Sequence, residues 1–177
     1  AALLGLIVGS FLNVVIHRYP REESIVFPPS KCPDCGTHIK PYDNVPILAY
    51  LWLVGRCRAC RAPISPRYPL IELANALFYL AIFQRTGLTW GFVPIAALVS
   101  MTICLIYIDL EIQILPDVIG LPGVAIGLLV GATHLGALYP DLMLSSTLLE
   151  SIIGAAAGAG VLLAIGLTYK LIRKVEG

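Results

Sequence analysis

Asp109 closes an apolar run, Phe92 to Ile108, and opens the segment Asp109-Leu-Glu-Ile-Gln-Ile-Leu-Pro-Asp117. A carboxylate at membrane depth costs several kcal/mol unless paired or hydrated, so such a residue is a functional-site candidate by default. The plainer reading makes these acids the polar end of one helix and the start of the next, and for Asp109 both readings stand. For Asp117 the plainer one is preferred, because proline at 116 suits a first helical turn and an acid there offsets the dipole. A second set of residues carries its own chemistry. Cys32-Pro-Asp-Cys35-Gly and Cys57-Arg-Ala-Cys60 are two C-x2-C pairs separated by twenty-one residues. That spacing matches a tetrathiolate zinc site, each pair giving two sulfurs about one turn apart. Four protein ligands leave no open position, which points to a structural role. Four thiolates around Zn²⁺ carry excess negative charge, and Lys31, Arg56, Arg58 and Arg61 lie beside them to offset it. Cys104, alone in the apolar run, reads as a small buried side chain. His17, His38 and His134 form no ligand set, and no Ser-His-Asp, H-E-x-x-H or P-loop pattern is present. Nothing points to a nucleic-acid partner.

The elements that must position these residues are predicted from hydropathy. The chain has 177 residues, 58% of them hydrophobic and 13% charged, with mean hydropathy +0.85. A soluble domain of this length needs more charge to cover its surface, so an all-α polytopic membrane protein in a lipid bilayer is expected. Five segments read as spans: 1–16, 70–84, 92–108, 118–135 and 148–171. A span takes about 20 apolar residues, so the shorter runs need interfacial residues to complete them. Lys and Arg set the orientation. Residues 17–69 hold eight of the twelve, Lys170, Arg173 and Lys174 follow the fifth span, and Arg85 alone lies on the other side. Eleven against one places the long loop, the Asp109–Asp117 connection and the last residues in the cytoplasm.

Three parts are expected: 1–16 as a first transmembrane helix, 17–69 as a cytoplasmic zinc-binding loop, and 70–177 as a transmembrane core. The loop is rich in Pro, charge and Cys and lacks a helical period. About fifty residues of this composition need a staple, because burial alone does not hold them. Gly5/Gly9, Gly123/Gly127/Gly131 and Gly154/Gly158 are spaced for close helix approach in lipid and are read as packing. The chain starts Ala-Ala, without Met or a charged leading region, and stops at Lys-Val-Glu-Gly177. It is expected to be an internal fragment of a longer protein.

Together these residues resemble the bacterial type 4 prepilin peptidase family. The resemblance runs in order through Gly9-Ser-Phe-Leu-Asn-Val-Val-Ile-His-Arg18, Cys32-Pro-Asp-Cys-Gly36, Asp43-Asn-Val-Pro46, the second cysteine pair, Arg67-Tyr-Pro-Leu-Ile-Glu72 and Ile108-Asp-Leu-Glu-Ile-Gln-Ile-Leu-Pro-Asp117. It implies an intramembrane aspartyl protease of the bacterial inner membrane, with Asp109 as one of two catalytic aspartates. The implied reaction removes the basic leader of type IV prepilins or type II secretion pseudopilins after a Gly. Many members of the family also methylate the new N-terminus with S-adenosylmethionine, a cofactor implied here by resemblance only. The family's second aspartate lies in a Gly-x-Gly-Asp motif, which the 177 residues lack, so the fragment alone is expected not to cleave.

For Glu111 the plain interfacial acid is preferred over a tuner of Asp109, and for Glu72 compensation of a helix dipole. Two other classes compete with the peptidase. A noncatalytic scaffold docking a cytoplasmic partner through its zinc knuckle explains the cysteines but not Asp109. A transporter relaying protons through Asp109 and Asp117 needs acids near the midplane and repeated halves, and neither is evident.

Overall fold

All five apolar runs fold as helices. The computed structural model describes residues 1–113, 116–133 and 147–173. In chain order the helices are α1 (Ala2–Arg18), α2 (Leu48–Trp52), α3 (Arg67–Thr86), α4 (Phe92–Ile112), α5 (Asp117–Ala132) and α6 (Leu148–Arg173), with 3-10 turns at Tyr19–Arg21 and Pro41–Asn44. Among the described residues there is no strand, only two isolated bridges in the long loop, so the all-α expectation holds. Three of these stretches are long and apolar enough to cross a membrane: Ala2–Arg21, Phe92–Ile112 and Leu148–Ile165. α5 is shorter, and the end expected for it at residue 135 lies outside the described residues. α3 has the length, at 20 residues, but three polar side chains, Glu72, Asn75 and Thr86, are buried along it.

The chain divides into two compact units, Ala1–Gly120 and Leu121–Gly177. In the first, α1, α3 and α4 pack around Leu12, Ile16, Ile71, Ile103, Cys104 and Ile108. Ile16, Ile71 and Ile108 are fully enclosed, and Cys104 is buried among them as a small apolar residue. Glycine sets the approach of α1 to α3. A Cβ on Gly5 would stand 2.7 Å from the Cα of Ala76, and one on Gly9 the same distance from the Cα of Glu72. Backbone meets backbone there, the close contact that small residues permit in lipid.

A polar seam runs through the same interface. The Asn75 amide donates to the Gly5 carbonyl at 2.8 Å, and its oxygen accepts from the Ser100 hydroxyl at 3.0 Å. Ser100 and Tyr79 are joined at 3.0 Å, and the Tyr79 ring meets Phe92 edge-on at 5.6 Å. Asn75, Ser100 and Tyr79 thus supply one another with partners, as polar groups away from water require.

In the second unit, Thr147 and Glu150 form a reciprocal capping box at the start of α6. The Thr147 N–H donates to the Glu150 carboxylate and the Glu150 N–H to the Thr147 hydroxyl, both at 3.2 Å, which satisfies two helix-start donors. The Ser151 hydroxyl donates to the Gly127 carbonyl at 3.3 Å, and a Cβ on Gly131 would collide with Ser151. A Cβ on Gly127, Gly154 or Gly158 would meet nothing within 4 Å, so the packing reading holds for Gly5, Gly9 and Gly131 and finds no neighbour at those three.

Candidate metal centre and acidic site

The four loop cysteines converge. Their sulfurs all lie within 4.8 Å of one another, Cys32 and Cys60 being 3.9 Å apart, and all five cysteines of the chain are free. Zinc–sulfur bonds of about 2.3 Å in a tetrahedron put sulfurs about 3.8 Å apart. The quartet therefore has the donor chemistry and spacing to hold a metal ion, and among the described residues it is the only such cluster.

Each pair is shaped by the same short turn. The Cys32 N–H donates to the Thr37 carbonyl at 2.9 Å, and the Gly36 N–H returns to the Cys32 carbonyl at 2.9 Å. Twenty-five residues later the Cys57 N–H donates to the Ala62 carbonyl at 2.8 Å and the Arg61 N–H to the Cys57 carbonyl at 3.0 Å. Both turns need a left-handed residue one place after the second cysteine, Gly36 at φ 71° and Arg61 at φ 62°. Glycine takes that conformation without cost, whereas arginine does not.

The thiols divide their protons unequally. Hydrogen bonding between Cys35 and the Thr37 side chain and backbone holds Cys35 down at about 6. A backbone hydrogen bond at Ala62 pulls Cys60 down, but desolvation and the neighbouring sulfurs of Cys35, Cys57 and Cys32 push it up to about 12. Cys57 is lowered, chiefly by backbone hydrogen bonds at Cys60 and Ala59. Thiols prepared as ligands in this way need deprotonation only in part when a metal arrives. Of the cations expected to offset their charge, Arg58 is otherwise engaged. It forms a two-pronged ion pair with Asp43 at 2.6 and 2.8 Å and lies over the Tyr42 ring at 5.5 Å.

Asp109 lies in the last turn of α4, exposed, on a stripe with Thr102, Ile106, Leu110 and Gln113. Its carbonyl accepts the Gln113 N–H at 2.8 Å, and Gln113, left-handed at φ 55°, caps the helix. Among the described residues the Asp109 carboxylate makes no hydrogen bond or ion pair. Asp117 begins α5 and is exposed, with the Pro116 carbonyl accepting from the Ile119 and Gly120 N–H groups at 3.0 Å. That is the helix-start role expected of it.

The neighbouring acid, Glu111, is more than an interfacial charge. Its two carboxylate oxygens pair with Arg21 at 2.9 Å and Arg67 at 3.0 Å, joining the turn after α1, the start of α3 and the end of α4. Arg67 also lies over the Tyr107 ring at 5.9 Å. Glu72 departs from its expected role too. No acid occupies the first turn of α3, and Glu72 is buried one turn further on, accepting the Ile47 N–H at 2.7 Å. Between α1, α3 and the loop lies a cavity of about 590 Å³ whose wall includes Asn13, His17, Tyr50, Tyr68 and Glu72.

Residues 3–86, which span α1, the cysteine loop and α3, match the family described as bacterial peptidase A24 N-terminal domain. The chain belongs to the bacterial prepilin peptidase family. It is 36% identical over 203 residues to the prepilin leader peptidase/N-methyltransferase of Aeromonas hydrophila, covering 99% of this chain and 66% of that protein. The Pseudomonas aeruginosa protein of the same name is 36% identical over 198 residues, covering 99% and 65%. The Myxococcus xanthus protein, again of that name, is 49% identical over 126 residues, covering 71% and 38%. The chain thus spans between 38% and 66% of the length of these prepilin peptidase relatives. No solved structure matches it. Within this family member, the sequence pointed to the cysteine quartet and Asp109. It did not point to the Arg21–Glu111–Arg67 bridge or to the Glu72–Ile47 contact, although the charges at 21, 67 and 111 were the available signal.

Proposed function

We propose that this protein is an intramembrane aspartyl endopeptidase that removes the basic leader of a type IV prepilin or type II secretion pseudopilin after a Gly. The observation that carries the reading is Asp109, an unpaired acid on the open face of the last turn of a membrane-length helix, in a chain whose relatives are named prepilin leader peptidases. Its partner would be a second carboxylate from the family's Gly-x-Gly-Asp motif, outside residues 1–177. Two carboxylates a few Å apart do not both ionise readily, so the pair shares a proton near neutral pH. The ionised member takes a proton from water, which attacks the scissile carbonyl, while the protonated member hydrogen-bonds the carbonyl oxygen. Base and acid are not divided between the two, because such a pair titrates as a unit.

The loop and Asp109 face the cytoplasm in this reading, on the evidence of the Lys and Arg distribution. A substrate whose basic leader stays outside the bilayer while its apolar helix lies within it brings its junction to that level. The cysteine quartet holds a structural Zn²⁺, which staples residues 17–69 to the ends of α1 and α3; tetrathiolate chemistry and a closed donor set favour it. The relatives' second printed activity extends the reading to methylation of the new N-terminus, with S-adenosylmethionine supplying an electrophilic methyl group. The cavity beside the loop has room for such a donor.

Expressed from its full reading frame, the protein should remove the leader from a prepilin, and Asp109→Asn should abolish this while membrane insertion persists. Leader removal by the Asn variant would exclude Asp109 from the pair. The scaffold reading predicts no cleavage by either protein.

A further inference from the structure

The middle of the cysteine loop is apolar without being buried. Val45-Pro-Ile-Leu-Ala-Tyr-Leu-Trp-Leu-Val54 is ten residues without a charge. A run of about that length is either a buried core helix or an interfacial membrane segment, and exposure decides between the two. Ile47, Ala49, Tyr50 and Leu53 line the cavity between α1, α3 and the loop. On the other side, Leu48 is 63% exposed, Leu51 65%, Trp52 81% and Val54 80%. The short helix α2 is therefore apolar all round, a pattern that belongs inside a protein or in a membrane. Val54 adds a second argument. It holds φ 53°, a conformation that is cheap for glycine or asparagine and costly for a β-branched residue. Neither its backbone nor contact with water favours valine there, whereas contact with lipid does.

The level at which the segment begins points the same way. α3 runs back along α1, with Gly5 against the Cα of Ala76, Gly9 against that of Glu72, and the Asn13 amide on the Tyr68 carbonyl. Charge marks the ends of these helices on the loop side, where Arg21 and Arg67 pair with Glu111 from the end of α4. Ile47 lies further in. Its N–H donates to the Glu72 carboxylate at 2.7 Å, and the Ser10 side chain bonds the same carboxylate. At about 1.5 Å per residue, Glu72 lies about 7 Å inside Arg67, and Ser10 about 12 Å inside Arg18. The loop thus turns back along the two helices and starts α2 below their charged ends. Cations frame the segment, Lys40 before it and Arg56 after it, both exposed, as suits the anionic headgroups of a lipid surface.

We propose that segment 45–54 is an interfacial membrane anchor, with Leu48, Leu51, Trp52 and Val54 set among phospholipid chains beside the ends of α1 and α3. The cysteine loop is then held to the bilayer at its middle as well as at its two ends. The boundary between chains and headgroups is also where tryptophan gathers in membrane proteins. The anchor goes beyond the proposed function and does not depend on which reaction the protein catalyses.

The test uses the protein expressed from its full reading frame and reconstituted into vesicles of equal parts phosphatidylcholine and phosphatidylglycerol. Fluorescence of the parent minus that of Trp52→Phe isolates Trp52, since Trp90 and any other tryptophan cancel. Phosphatidylcholine brominated on its chains near the headgroup should quench the Trp52 signal by about half or more. Acrylamide in the water should quench it several-fold less steeply than it quenches free tryptophan. Leu48→Ser combined with Leu51→Ser, read against Trp52→Phe in the same background, should lower the bromine quenching by about half, because interfacial binding scales with apolar area. Zinc content and the melting temperature report folding; should the double variant fail to fold, the Trp52 signal of the parent decides alone. Indifference to bromine with steep acrylamide quenching would put Trp52 in water and overturn the proposal. Indifference to both quenchers would mean that protein covers the face, a second copy or another part of the full chain, and would overturn it equally. So would bromine quenching that a folded double variant leaves unchanged.

Discussion

Gly36 and Arg61 occupy equivalent places in two turns of the same design, which makes a pair of opposite substitutions informative. Gly36→Ala places a methyl group where nothing lies within 4 Å, so packing is unaffected and only the left-handed backbone, φ 71°, is penalised. Holding a non-glycine residue there costs about 1–2 kcal/mol, and the stiffer unfolded chain returns about 0.5–1 of it. A net loss of about 1 kcal/mol corresponds to about fivefold in an equilibrium constant. Metal binding and loop folding are coupled, so this loss should appear in apparent zinc affinity. Arg61→Gly runs the other way, relieving the strain at φ 62° while adding unfolded-state entropy, and should leave affinity equal or slightly tighter. Competition with a chromophoric zinc chelator measures both. If Gly36→Ala binds zinc as tightly as the parent, or if both variants weaken alike, the two turns do not carry the metal in the manner argued.

Three further outcomes follow from other parts of the molecule. Gly9→Ala forces a Cβ to within 2.7 Å of the Glu72 Cα, where backbone cannot yield, and should cost about 1–3 kcal/mol of stability; Gly154→Ala, with open space around it, should cost nothing or stabilise slightly. Thermal unfolding in one detergent compares them, and equal melting temperatures would refute the close approach of α1 and α3. Glu111→Gln leaves two partly exposed arginines without their partner and should cost about 1–2 kcal/mol, with the difference from the parent shrinking at high salt; a salt-independent difference would mean the ion pairs contribute little. Zinc loading of the apo-protein at pH 7.5 should release about two to three protons per ion, because Cys35, at about 6, is already ionised while Cys60, at about 12, and Cys32, raised, are not. Ligand protonation competes with metal, so zinc retention is greatest at alkaline pH and declines as pH falls through the thiol values. Release of about four protons, measured with an indicator in weak buffer, would show four ordinary thiols.

What the sequence disclosed follows the distance over which each signal acts. The cysteine quartet was legible because C-x2-C is a local geometry that repeats, and the helices because apolar runs report burial in lipid or protein without naming a neighbour. Gly5 and Gly9 were legible as packing, yet a Cβ at the similarly spaced Gly154 or Gly158 meets nothing within 4 Å. A stripe of small residues states what can approach and leaves open what does. Glu72 does not serve the helix dipole because α3 begins earlier than the apolar run: the helix starts at Arg67, before Pro69, so Glu72 lies beyond the first turn. Its true partner, the Ile47 N–H, belongs to a strained backbone conformation that no composition announces. The Glu111 bridge was hidden for a related reason, since its two arginines lie 90 and 44 residues away in the chain. Only the folded arrangement of three elements brings them together.

The position of Asp109 is an outcome of its neighbours' burial more than of its own contacts. Ile108 is enclosed between α1 and α3, and successive residues of a helix point about 100° apart. Fixing Ile108 inward therefore turns Asp109 and Leu110 to the open face of α4. The last turn of a helix frays unless its free carbonyls and its end are restrained. Here the Gln113 N–H closes the turn on the carbonyl of Asp109 itself, and Glu111, on the inward side, is gripped by arginines from two other elements. An acid meant only as a polar helix end needs none of this restraint. In the proposed pair, a carboxylate that must meet a second one within a few Å needs its backbone held while its side chain stays unpaired, and the end of α4 is consistent with that proposal.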